Sequence, residues 1–130
     1  IEVVIANGLK SGIINAVLGG SSQCTRFIPS PGKSSIKKWL SHAKGFEKGA
    51  VVINEGALKA LRSEKAISLL PVGITNIEGH FKKGDVIMIY DENRTQVGLG
   101  IARYSDEKAR AGIGMKNQRP VIHYDHLFLF

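Results

Sequence analysis

Gly32-Lys33-Ser34 has the residue types that end a phosphate-binding loop, in which a lysine meets the outer phosphates and a hydroxyl holds Mg²⁺. The full pattern needs a glycine where this chain has Phe27, and Pro29 and Pro31 lack the backbone N–H donors of a phosphate cradle. A nucleotide site is not expected there. His123, Asp125 and His126 offer imidazole and carboxylate ligands that suit zinc. On a strand His123 and Asp125 share one face while His126 takes the other, so a structural or surface role is expected instead. His42 and His80 stand alone, and no serine, histidine and aspartate set has the context of a nucleophilic site. Cys24 is the one cysteine; it cannot build a disulfide framework and is expected to be inert in a reducing cytoplasm.

Composition bounds what could position such groups. At 130 residues, 43% hydrophobic and 22% charged, the chain is expected to hold one ordinary globular domain and a piece of a second. Its formal charge of +7 invites a phosphate-bearing partner. The excess is uneven: Lys10, Arg26, Lys33, Lys37, Lys38 and Lys44 face Glu2 alone in residues 1–46, and the remainder is nearly balanced. A solvated basic face accounts for the same charge. The chain opens on Ile1 and has neither a basic-then-apolar leader nor an apolar run near the roughly 18 residues of a membrane span. A soluble, cytoplasmic fragment with no membrane partner is the expectation.

The elements follow from pattern. Val3-Val4-Ile5 reads as a buried strand, Ser11 as the N-cap of a helix through Leu18, and Gly19-Gly20 as its end. A lone strand and helix cannot bury both faces, so this piece reads as the edge of an α/β domain. A Gly-, Pro- and Ser-rich connector follows, with a short extended piece at Cys24–Ile28. Ser35 then caps a helix over Ile36–His42 whose Ile36, Trp39 and Leu40 share a face, which makes Trp39 a core anchor. Beyond Gly45 come strands at Ala50–Ile53, Leu69–Ile77, Val86–Tyr90, Thr95–Tyr104 and Val121–Tyr124, an alternating tail Leu127–Phe130, and helices capped by Asn54 and Ser105. In the strand after Thr95, Val97, Leu99 and Ile101 alternate with Gly98, Gly100 and Ala102, giving one bulky face and one nearly bare, open to a packed backbone or a ligand. The pattern predicts a mainly β fold with short helices, a mixed β-barrel.

The ordered set Gly56-Ala57, Leu61, Ser68-Leu69-Leu70-Pro71-Val72-Gly73-Ile74, Gly79, Phe81, Gly84-Asp85, Gly100 and Tyr104-Ser105 resembles the PUA domain. With Val4-Ile5-Ala6-Asn7-Gly8, Thr25-Arg26-Phe27, Lys37-Lys38-Trp39 and Val121-Ile122-His123, the whole chain is similar to the carboxy-terminal region of the glutamate 5-kinase family. The resemblance implies three parts: residues 1–28 as the end of an amino-acid kinase domain, 29–44 as a linker with a short helix, and 45–130 as a PUA domain. Gly56, Ala57, Pro71, Gly73, Gly84 and Asp85 would define the fold. It further implies a longer enzyme that phosphorylates L-glutamate with ATP and Mg²⁺ in proline biosynthesis, a homo-oligomer in which the PUA part is accessory or regulatory. The family's phosphate loops and glutamate-binding residues belong to the kinase domain, so no catalytic, cofactor or metal residue is expected in this chain. Between Ala109 and Pro120 the chain is shorter than the family pattern. The competing implication is a free-standing PUA module that binds RNA, with Lys59, Arg62 and Lys65 as phosphate contacts. Glu55 and Glu64 flank Lys59 and Arg62, and the solvated side of an ordinary helix is the alternative.

Overall fold

In the computed structural model, the structure describes residues 1–21, 23–29, 35–63 and 65–130. The Gly32-Lys33-Ser34 motif and Glu64 fall outside them. Two compact units divide the chain, residues 1–32 and 33–130.

In the first unit, β1 (Val3–Ala6) leads through Gly12 into α1 (Ile13–Leu18) and on to β2 (Cys24–Phe27). The helix start differs from the expected one. Gly12, at φ 68°, holds the N-cap position rather than Ser11, because the chain enters through a left-handed turn that glycine adopts without a steric penalty. β1 also has a partner, pairing antiparallel with β2 from Val3↔Phe27 to Ala6↔Cys24. The expectation that β1 is buried is not met: Val3, Ile5 and Phe27 stay exposed, together with Ile14 and Leu18. Two strands and six helical residues form no layer deep enough to cover them.

In the second unit, α2 (Ser35–Leu40), β3 (Gly49–Ile53), α3 (Glu55–Leu61), β4 (Ile74–Gly79), β5 (Val86–Asp91), β6 (Gln96–Ile101), α4 (Asp106–Ala111) and β7 (Leu127–Leu129) follow in order. The sheet runs β4-β3-β5-β6-β7, antiparallel except for the parallel pair β3–β5. Mainly β structure with short helices and a mixed sheet is thus as expected, although among the described residues no ladder joins β4 to β7 and the sheet stays open at that seam.

Strand alternation divides the core. Val51, Ile53, Ile87 and Ile89 face one side, where Leu61, Ala109, Phe81, Val121 and Ile122 complete the main cluster. Ala50, Met88 and Leu99 face the other, covered by Leu40 and Ala43. Full burial of one such leucine stabilises by about 1.5–3 kcal/mol. Trp39 is not the anchor the spacing suggested, being 55% exposed. It precedes Leu40 by one residue and is therefore turned about 100° from it, while the buried stripe runs through Ile36 and Leu40.

Three strand expectations also change. The strand expected over Leu69–Ile77 begins only at Ile74: Pro71–Gly73 forms a 3-10 turn with proline at its start, where the missing N–H is no loss, and Leu69 makes only an isolated bridge to Ile122. Val121–Tyr124 likewise contributes that single bridge before a 3-10 turn at Tyr124–His126. In β6 the register jumps from Ile89↔Gly98 to Tyr90↔Gln96, so Val97 is an extra residue. This bulge sends Val97 into the main cluster and Leu99 into the other one, which breaks the single bulky face. The bare positions are filled by close packing, since a Cβ added at Gly100 would lie 2.6 Å from Ile122 Cδ1.

Candidate functional site

The segment that carries the resemblance folds into a groove. Asn54 caps α3 by accepting the Ala57 N–H at 2.8 Å, and its own backbone N–H donates to Gly73 O at 2.9 Å. One residue thereby fixes α3 against the turn Pro71–Gly73. Gly73 permits the approach, because a Cβ there would stand 2.6 Å from the Ala57 Cβ. Farther along, Gly84 at φ 95° and the Asp85 carboxylate, which accepts the Lys82 N–H at 2.8 Å, close the turn before β5. Gly56 is less constrained: an added Cβ would meet only Asn54 Oδ1, at 3.4 Å.

Between α3 and residues 67–73 lies a depression of ≈ 280 Å³ whose walls include Ala57, Ala60, Leu61, Leu70 and Val72. Among the described residues no charged side chain lines it. Lys59 lies on exposed α3 surface and pairs with Glu55 at 2.7 Å, and Arg62 occupies the exposed C-cap. Lys65 lines a different depression, beside Tyr124 and Phe128. The structure therefore does not gather the three cations around one groove.

The histidines are placed differently from the expectation as well. His123 and Asp125 sit at a 3-10 turn rather than on a strand, where His123 Nδ1 accepts the Asp125 N–H at 3.3 Å. Among the described residues no group of three metal-ligating side chains forms. His80 is not alone: its Nδ1 lies 3.1 Å from Asp106 Oδ2, and Arg110 Nε approaches the same oxygen at 3.7 Å. Arg110 also donates to the Ile77 and Gly79 carbonyl oxygens, clamping α4 to β4. No local sequence signal marks this cluster, since β4 and α4 meet only in the folded chain.

Asp106 itself is 6% exposed. Burial pushes its carboxyl upward, but hydrogen bonds from His80 and from the backbone at Phe81 and Asp106 outweigh that push and hold it below the ordinary carboxylate value. A carboxyl depressed on folding adds stability that is present above its unfolded value, near pH ~4, and is lost as pH falls through the folded one. Asp106→Asn is expected to remove that part of the acid dependence. Thermal melts of both proteins between pH 2 and pH 7 should converge at the acid end and separate above about pH 4. Parallel curves would show that the Asp106 charge contributes nothing.

The PUA domain family matches residues 49–123. Glutamate 5-kinase of Chlorobaculum tepidum is 48% identical over 130 residues, covering 99% of this chain and 36% of that protein. The Bacteroides thetaiotaomicron glutamate 5-kinase is likewise 48% identical, over 99% of this chain and 37% of its own length. The chain thus spans little more than a third of these curated relatives and matches their C-terminal region. Among solved structures, a PUA domain from Aeropyrum pernix K1, crystallised as a tartrate complex, is similar at TM-score 0.49 and 30% identity, over 58% of this chain and 41% of that one. By its matched segment, which includes the α3 groove and the turn at Gly84, the chain belongs to the PUA domain family.

Proposed function

We propose that the chain serves as the C-terminal, accessory or regulatory part of a glutamate 5-kinase, with its first 28 residues completing an amino-acid kinase domain and residues from about 45 forming the PUA domain. One observation carries the reading: the similarity to glutamate 5-kinases runs over 99% of the chain, well outside the PUA segment, and includes the first unit. That unit leaves Val3, Ile5 and Phe27 of the ribbon and Ile14 and Leu18 of α1 exposed, apolar surface that the remainder of a kinase domain would cover. In this reading ATP, Mg²⁺ and L-glutamate are handled by the preceding kinase residues, in a cytoplasmic homo-oligomer of proline biosynthesis.

The decisive preparation is the longer protein. Ile5→Asp should lower its melting temperature and glutamate phosphorylation while leaving the melt of the 130-residue chain unchanged, because only the longer protein buries Ile5. An equal effect in both would remove the proposed junction. The 130-residue chain alone should form no glutamyl phosphate from ATP, and turnover would overturn the claim that the reaction belongs to other residues. The competing role, an RNA-binding module, requires salt-sensitive RNA binding that weakens when Lys59, Arg62 and Lys65 become alanine. Binding that ignores all three substitutions would exclude that trio.

A further inference from the structure

A third depression meets the Pro71–Gly73 turn at Pro71, at ≈ 330 Å³ within the range of small-ligand sites. It is lined by Pro71, Tyr104, Lys108, Asn117, Gln118 and Arg119. Where the α3 groove is uncharged, this one presents two cations and two side-chain amides. Its walls are tied together from distant parts of the chain. The Tyr104 hydroxyl donates to Arg119 O at 2.9 Å, and the Gly114 N–H donates to Pro71 O at 3.0 Å, so the 112–119 loop is held at both ends. Burial pushes the Tyr104 hydroxyl upward, with Arg103 opposing, and it stays a protonated donor at neutral pH.

The charge at this place is uncompensated. Among the described residues neither Lys108 nor Arg119 has a carboxylate partner, and no acidic side chain lines the depression. Lys108 Nζ lies 5.6 Å from the Tyr104 ring centroid, a cation–π distance that favours the ammonium on the Tyr104 side of the depression. An arginine fork and a lysine point charge lining one depression suit a dianion with several acceptor oxygens. A single carboxylate would match only one of the two charges. A single-stranded RNA base would need an open aromatic face for stacking, and Lys108 already stands over that of Tyr104.

We propose that this depression binds the phosphate monoester group of a small metabolite, with Lys108 and Arg119 neutralising the dianion and Asn117 and Gln118 donating neutral hydrogen bonds from their amides. Such a site is independent of the accessory role proposed above.

The test is an NMR titration of the 130-residue chain at fixed ionic strength with inorganic phosphate, ribose 5-phosphate, succinate and chloride. Saturable shifts confined to Tyr104, Lys108 and residues 117–119 are expected with both phosphates. Lys108→Gln should weaken binding at least about tenfold, as loss of one charge-assisted hydrogen bond does, and Arg119→Lys should weaken it through loss of the fork. Amide spectra of the variants, unchanged elsewhere, report that the fold is intact. The proposal fails if phosphate and chloride give the same shifts, if succinate binds as tightly as ribose 5-phosphate, or if neither substitution changes the affinity. Shifts at these residues only with an RNA oligomer would also overturn it, in favour of a nucleic-acid surface.

Discussion

Phe81→Ala should destabilise the second unit by about 3–5 kcal/mol, the range for truncating a buried phenylalanine, against a total stability for a domain of about 5–15 kcal/mol. Phe81 is the largest fully buried side chain and is 1% exposed. It lies against the start of β3, where a Cβ added at Gly49 would come within 2.8 Å of its ring. Its backbone carbonyl accepts the Asp106 N–H at 3.0 Å, so the same residue seats the first turn of α4. Truncation therefore opens a cavity under the helix that supplies Lys108 and stands beside Tyr104. The measurement is a urea midpoint: a large downward shift is expected, a smaller one for Phe81→Leu, and a shift worth less than about 1 kcal/mol would mean that the core relaxes around the gap.

Local chemistry was the part of the fold most readable from the residues. Asn54 announces α3 because its side chain satisfies a helix-terminal N–H three residues on, and the structure shows that bond to Ala57. Gly84-Asp85 is a turn on the same local grounds. What failed depends on distant partners. β1 acquires β2 across α1, the register of β6 shifts at Val97 only because β5 opposes it, and Trp39 is exposed because the sheet selects the Ile36 and Leu40 side of α2. Pro71 shows a different limit: a proline after apolar residues fits a strand start and a 3-10 start equally well, and the Gly73 contact with α3 selects the second. The candidate sites divide in the same way. The groove beside α3 lies within one continuous stretch, which the sequence marked as fold-defining without marking a groove. The cationic depression could not, because Pro71, Lys108 and Arg119 converge only after the loop through Gly114 closes on Pro71.

Gly98→Ala should cost more than Gly100→Ala, although both glycines lie in β6 and differ by two positions. A Cβ at Gly98 would run into the Phe128 carbonyl oxygen and lie 3.1 Å from Leu129 Cα. Those are backbone atoms of β7, held in register with β6 by the pair Gly98↔Leu129. They can yield only if the ladder opens. At Gly100 the obstacles are the Cδ1 and Cγ2 atoms of Ile122, which belong to one side chain. Overpacking of a core costs about 1–3 kcal/mol where side chains can adjust, and more where they cannot. Trimming the obstacle separates the cases: Ile122→Val in the Gly100→Ala background should recover part of the lost stability, whereas no side-chain truncation near Gly98→Ala should do so. Amide exchange gives a second reading, with protection lost first across Leu127–Leu129 in Gly98→Ala, the strand at the edge of the sheet. Equal costs for the two alanines, with β7 still protected, would mean that β7 can shift along the sheet and that the glycine at position 98 is not what permits its close approach.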